Sequence, residues 1–94
     1  GAPAGSVVAA AVAHLESSPW AGSVGATMGH GIGLETVEAP LLTAEATDRL
    51  EAGMCLCVEP GVFVAGEVGA VVEQEVIVGA GAPEVITPTP AILW

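Results

Sequence analysis

The chain has 94 residues, of which 11 are acidic and only one, Arg49, is basic, so its formal net charge is −10. A surface this negative repels phosphate backbones and anionic lipid, which argues against nucleic-acid binding and membrane-surface binding. Hydrophobic residues make up 52% of the chain and aromatic residues 3%, so we expect one small domain, or part of one, with an aliphatic core.

The first predicted element is a helix. Ser6 is the expected N-cap, and the helix should run to about Glu16 with an apolar stripe that packs on a sheet. The apolar run from Val7 to Ala13 is far shorter than the roughly 18 residues of a membrane span, and it lacks the basic flank of a secretory signal. We therefore expect a soluble, cytoplasmic protein. His14 is interpreted as an exposed helix residue.

The second feature is a histidine among glycines, His30 within Gly29–Gly33. Glycines permit a tight backbone and the close approach of a ligand or a second strand. A glycine-flanked histidine is more often a turn residue than a ligand. Here, however, Glu59 and Glu73 follow within strand-like runs, and a histidine with carboxylates is a ligand set for Mn, Fe, Co or Zn.

The third feature is a pair of strands. Alternation over residues 54–59 places Glu59 on the same face as Cys55 and Cys57. The two cysteines are interpreted as buried, reduced thiols, because residues two apart on a strand lack disulfide geometry and this spacing is a poor zinc signal. Pro60-Gly61 should then end the strand.

The glycine-rich segment 65–69 predicts a hairpin, after which the run from Ala70 to Val78 should return antiparallel. Glu73 and Glu75 share one face of that run, and carboxylates inside so apolar a strand are costly to bury without a cation. The prediction ends with a short strand at 84–87, followed by a proline-rich C-terminal segment that ends at Trp94.

Four blocks, in this order and spacing, resemble the second half of the pita-bread metallopeptidase family: Gly29-His30-Gly31-Ile32-Gly33-Leu34-Glu35, Leu50-Glu51-Ala52-Gly53-Met54, Val58-Glu59-Pro60-Gly61-Val62-Phe63, and Glu73 within Val71–Val78. That family includes methionine aminopeptidases, Xaa-Pro dipeptidases and aminopeptidases, and creatinase-type enzymes. The resemblance covers nearly the whole chain. It implies an α+β fold, the C-terminal half of a pita-bread fold, in which an antiparallel sheet carries one N-terminal helix. Residues 1–94 would be a single, partial catalytic domain.

The resemblance also implies a two-metal site. His30 and Glu59 would each bind one divalent ion (Mn, Co, Fe or Zn), Glu73 would bridge both, and a water between the ions would attack a peptide or small amide. Gly31 and Ile32 are the expected substrate-binding residues. Glu38 is a candidate catalytic residue that either faces the substrate or caps its turn.

Three departures from the family pattern stand in the sequence. Residues 1–29 contain no aspartate, where the family's peptidases carry two further ligands. Val37 replaces a second histidine that stabilises the tetrahedral intermediate, and Val71 replaces an arginine. We therefore expect the chain alone to bind metal weakly and to be inactive. The roles of Glu75 and His14 stay open.

Three functions remain open at this point. The chain is part of a metallohydrolase whose other half carries the aspartates, or a non-catalytic relative, or a creatinase-like or lyase-like enzyme acting on a small molecule. A half domain would expose an apolar edge, so we expect self-association or pairing with the missing N-terminal half. A monodisperse monomer in light scattering would contradict that expectation.

Overall fold

The computed structural model describes residues 1–90; the Trp94 end of the proline-rich C-terminal segment lies outside them. One helix precedes seven strands: α1 (Ala4–Glu16), β1 (Thr27–Gly31), β2 (Glu38–Thr43), β3 (Cys55–Val58), β4 (Gly61–Val64), β5 (Val68–Val71), β6 (Gln74–Ile77) and β7 (Glu84–Val85). Every ladder between these strands is antiparallel. The predicted α+β class with one N-terminal helix is confirmed.

The strands form two sheets. Five of them lie in the order β2-β1-β3-β6-β7, and β4 pairs with β5 in a separate hairpin. The return run was predicted as one strand over 70–78, which is wrong, because it divides into β5 and β6. The segment that pairs with this return run is also divided: β3 ends before Glu59-Pro60 and β4 begins after it, as the Pro60-Gly61 pair predicted. Since proline donates no hydrogen bond to a ladder, the sheet is interrupted on both strands there.

The helix begins three residues earlier than predicted. Its N-cap is Pro3, in an extended conformation with no side-chain cap. The Ser6 hydroxyl lies inside the first turn and donates to the Pro3 carbonyl at 2.7 Å. The predicted capping role of Ser6 is therefore wrong. Within the described residues, no helix has the length and apolarity needed to cross a membrane.

The core lies between α1 and one face of the larger sheet. Its buried members are Ala4, Val8, Met28, Leu42, Leu50 and Leu56. Val8 of the predicted helix stripe is buried, whereas Val7 is 41% exposed. The histidine stretch lies on a strand, β1, and not in a turn.

Strand β2 is not among the elements predicted from the sequence, and it supplies a matched pair of neighbouring leucines. Leu42 is 1% exposed and Leu41 is 49% exposed. We expect Leu42→Ala to lower the free energy of unfolding by about 2–3 kcal/mol, because it leaves a cavity in a small core. Leu41→Ala should change it by less than about 0.5 kcal/mol. Urea denaturation of both variants tests this, and equal effects would contradict the assigned core.

Met28 and His30 are two positions apart on β1, so regular alternation would place them on one face. Instead Met28 lies in the core with Leu56, while His30 pairs with Cys57 and approaches Glu59. Between them lie Gly29, with a φ of 139°, and an irregularity in the β1–β2 register. Bulges of this kind re-aim side chains, and this one directs the histidine away from the core.

Candidate metal centre

One row of side chains crosses three strands. His30 on β1 is the register partner of Cys57 on β3, and Cys57 is the partner of Glu75 on β6. Directly opposed residues of antiparallel strands project from the same face. Alternation places Glu59 on that face as well, as predicted. The face opposite the core therefore carries a histidine, a thiol and carboxylates.

A second row continues across the interruption in the strands. Val58 is opposite Gln74 in one ladder, and Gly61 is opposite Val71 in the next. The register is unchanged between them, so Glu59 stands across from Glu73. The Val72 N–H donates to the Pro60 carbonyl at 3.3 Å, which holds the two segments together at this point. The two glutamates therefore lie opposite each other on adjacent segments, at a point where the sheet ladder is interrupted.

The His30 ring has its tautomer fixed by the backbone. Nδ1 lies 2.9 Å from the Gly31 carbonyl, which can only accept, so Nδ1 carries the proton. In the neutral ring, Nε2 therefore keeps its lone pair, and it faces Oε1 of Glu59 at 3.5 Å. In metal-binding histidines, one ring N–H commonly donates to a backbone carbonyl, which leaves the lone pair of the other nitrogen oriented toward the metal.

Cys57 lies at the centre of the cluster. It is a free thiol, 3% exposed, and its Sγ donates to Oε1 of Glu73 at 3.1 Å. Burial, the hydrogen bond to Glu73 and the nearby carboxylates raise the pKa of this thiol to about 12. Cys55 is also free but only half-buried, so the prediction of buried, reduced thiols holds fully for Cys57 alone.

This raised pKa predicts a loss of stability at alkaline pH in the metal-free protein. Above the ordinary pKa of 9.0 the unfolded thiol loses its proton, whereas folded Cys57 keeps it up to about 12. Stability should fall across that window by up to about 1.4 kcal/mol per pH unit. The sequence has no tyrosine or lysine to obscure the effect. Urea unfolding with a chelator present measures it; Cys57→Ser should flatten the curve and Cys55→Ser should not.

Neither the arginine nor the terminal ammonium pairs with these acids in the part of the chain that the structure describes. Arg49, the single arginine or lysine of the sequence, donates to the Gly1 carbonyl at 2.5 Å. The terminal ammonium donates to the Leu50 carbonyl at 2.6 Å. A divalent cation at the cluster would supply the missing positive charge.

The donor set and its spacing fit such an ion. Ligand atoms of His30, Cys57 and Glu59 lie within 4.8 Å of one another, and so do those of Cys57, Glu73 and Glu75. Two ligands of one tetrahedral ion at ordinary bond lengths are about 3.4–3.6 Å apart, close to the 3.5 Å between His30 and Glu59. Among the described residues, no such group contains both Glu59 and Glu73.

The argument that Glu73 and Glu75 are costly to bury without a cation applies to only one of them. Glu75 is half-buried, but Glu73 is exposed, so the expectation that both are buried is wrong for Glu73. Its position where the strand is interrupted leaves it open to solvent. The three predicted metal ligands nevertheless project toward one region, with Glu73 linked to the others through Cys57.

The remaining predicted residues lie beside this cluster. Gly31 ends β1, and a side chain there would collide with the Ala39 carbonyl. Ile32 is half-buried and donates its N–H to the Cys55 carbonyl at 3.0 Å. Glu38 opens β2 and accepts from the Glu35 N–H at 3.4 Å, which is the turn-capping alternative. Val37 is 54% exposed. The substrate-binding and catalytic roles of these residues stay predictions.

Two members of the cluster are not among the predicted site residues. The sequence predicts Cys57 to be a buried, reduced thiol and assigns no role to Glu75. The signal was the period-two alternation, which already placed Cys57 beside Glu59 on one face. The pairing partners of that face could not be inferred, because the sequence predicted no strand at β1.

Comparisons with known proteins point to one protein family. Residues 1–80 match the model of metallopeptidase family M24. An uncharacterized peptidase of Bacillus subtilis is 30% identical over 77 residues, which are 82% of this chain and 22% of that protein. An uncharacterized peptidase of Staphylococcus saprophyticus is 37% identical over 60 residues, which are 64% of this chain and 17% of that protein.

Solved structures share the fold. An Xaa-Pro dipeptidase from Bacillus anthracis superposes with a TM-score of 0.92 at 35% identity, over 99% of this chain and 26% of that one. Dipeptidase PepE from Mycobacterium ulcerans gives 0.89 at 34% identity, over 96% and 24%. The predicted partial pita-bread fold is confirmed, and the chain spans about a quarter of the length of these structures.

Proposed function

Because the chain belongs to metallopeptidase family M24, we propose that it supplies part of the metal site of a hydrolase that cleaves peptides. In that site His30, Glu59 and Glu73 would hold the divalent ions, as the family resemblance implies. The ion is Mn²⁺, Co²⁺, Fe²⁺ or Zn²⁺. The substrate class, by likeness to the Xaa-Pro dipeptidase and PepE, is a short peptide.

The observation that carries this proposal is the approach of His30 Nε2 to Glu59 Oε1 at 3.5 Å. In the neutral ring, with its proton on Nδ1, the Nε2 lone pair and a lone pair of the Glu59 carboxylate face each other with no hydrogen between them. Such an arrangement is repulsive without a cation and favourable with one. The carboxylates of Glu73 and Glu75 add further negative charge at this point. The single arginine does not neutralise it, because Arg49 donates to the Gly1 carbonyl.

Each residue has a separate task in the proposed chemistry. A bound ion polarises the amide carbonyl and acidifies a water molecule. His30 holds its lone pair in place through the Gly31 contact, and Glu59 and Glu73 offset the charge of the ions. Gly31 and Ile32 would bind the substrate beside His30, and Glu38 accepts from the Glu35 N–H in the 33–38 turn.

We further propose that residues 1–94 are one part of a larger catalytic domain, since the sequence before His30 contains no aspartate to complete the ligand set. Self-association, or pairing with the remainder of that domain, stays a prediction. Equilibrium dialysis of the chain against Mn²⁺ and Co²⁺ should show weak binding of either ion. Tight binding by the chain alone would contradict an incomplete site, and no binding at all would contradict the metal site.

The peptidase assay uses the protein with its aspartate-bearing part. Release of the N-terminal residue from an Xaa-Pro dipeptide should require added metal and stop with a chelator. Glu73→Gln should abolish it, and Glu67→Gln, which changes an exposed acid outside the cluster, should not. Metal-independent cleavage would contradict the proposal.

Val37 favours a second candidate, an enzyme that acts on a small non-peptide amide. Its half-exposed side chain donates no proton where the resemblance implies a histidine. Turnover of a small amide in the absence of Xaa-Pro cleavage would favour this candidate over the peptidase.

A further inference from the structure

We propose that Cys57 is itself a ligand of the bound ion, and that its sulfur makes this site prefer thiophilic ions such as Zn²⁺ and Co²⁺ over Mn²⁺. This inference rests on the proposed metal site. It adds a ligand that the resemblance did not imply, and it assigns a chemical class of metal to the chain.

The position of the sulfur carries the inference. Cys57 is the one residue common to both groups of ligand atoms, the group with His30 and Glu59 and the group with Glu73 and Glu75. It is 3% exposed and stands on the central strand of the row, between His30 on one neighbour and Glu75 on the other. An ion held by His30 and Glu59 therefore has the Cys57 Sγ within reach.

The chemistry of the donors decides the metal preference. Carboxylates and a single imidazole bind all of Mn²⁺, Fe²⁺, Co²⁺ and Zn²⁺, with Mn²⁺ the weakest, and a thiolate adds a further preference for the softer ions. On binding, the sulfur forms a bond to the metal, and the proton that Cys57 now donates to Glu73 passes to solvent. Glu73 is thereby freed to bind metal as well. The charges balance, and no oxidant or reductant is needed.

The alternative is that Cys57 only positions Glu73 through its hydrogen bond. Serine at position 57 keeps a hydrogen-bond donor but removes the sulfur, so Cys57→Ser separates the two roles. Cys55→Ser is the matched control, because Cys55 lies on the same strand and face as Cys57 but two residues further from Glu59. It is paired with Ile77 and belongs to neither group of ligand atoms.

The test is the absorption spectrum of the Co²⁺-loaded protein, with bound cobalt measured by dialysis. We expect a sulfur-to-cobalt charge-transfer band in the near ultraviolet for the unmodified protein and Cys55→Ser, and none for Cys57→Ser. Zn²⁺ affinity should fall at least about tenfold in Cys57→Ser, and Mn²⁺ affinity should change much less.

Two results overturn the inference. Cobalt bound to the unmodified protein without the band excludes sulfur as a ligand but leaves the proposed metal site intact, and this result needs no variant to fold. A band that survives in Cys57→Ser assigns the sulfur elsewhere and has the same consequence. Failure of the unmodified protein to bind cobalt at all removes both the inference and the proposed function.

Discussion

His30→Ala is expected to lower the affinity of the protein for Co²⁺ or Zn²⁺ by more than about 100-fold. Changes to residues that merely support a ligand cost about 10–100-fold, and this change removes the ligand itself. It removes the Nε2 lone pair that faces Glu59 at 3.5 Å. Isothermal titration calorimetry at one pH, on the protein with its aspartate-bearing part, gives the affinities directly.

The matched control is His14→Ala, which removes the other histidine of the sequence. His14 is exposed in the last turn of α1 and belongs to neither group of ligand atoms. Its variant should bind metal as the unmodified protein does. A similar loss in both variants would show that binding is non-specific, and an unchanged affinity in His30→Ala would contradict the assigned site.

Gly29→Ala is expected to be the most damaging single substitution for stability, lowering the free energy of unfolding by about 3–5 kcal/mol. The φ of Gly29 is 139°, a conformation that residues with a side chain rarely adopt. An added Cβ would also collide with the Cys57 carbonyl on β3. Small domains have only about 5–15 kcal/mol of stability in total, so urea denaturation should show a large shift.

Gly66→Ala separates the two causes of that loss. Gly66 also has a positive φ, 76°, but a Cβ there meets no atom within 4 Å. We expect it to cost about 1–2 kcal/mol from backbone strain alone. The difference between the variants measures the close approach of β1 to β3. Equal losses would mean that β1 and β3 do not approach each other at Gly29.

The strand pair of the second half was predictable because its signals are local. The alternation over residues 54–59 placed Glu59 beside the cysteines, Pro60-Gly61 marked the end of β3, and the glycines of 65–69 marked the hairpin. Each depends on neighbours in sequence and on the geometry of one strand. The same signals failed at Ala70–Val78. The interruption there is caused by Pro60 on the opposite strand, and the sequence of the return run itself contains no residue that marks it.

The first half was less predictable for the same kind of reason. Helix α1 was expected, but its start at Ala4 follows from contacts with the distant 46–48 segment: the Ala4 N–H donates to the Asp48 carbonyl and the Gly5 N–H to the Ala46 carbonyl. The sequence predicted no strand at β1, although its glycines indicated the close approach of a ligand or a second strand. That the approaching strands are β2 and β3 follows from pairing, which a single strand does not reveal.

The sequence by itself determined the ingredients of this protein: an acidic chain with one arginine, a histidine set among glycines, two glutamates spaced to match a metallopeptidase pattern, and strands that place one glutamate beside two cysteines. Only the tertiary structure decided that Cys57 and Glu75 belong to the same cluster. It also decided which nitrogen of His30 is free to bind a metal. The physical reason is that both outcomes depend on cross-strand register and on a backbone irregularity at Gly29, which arise when separate strands pair.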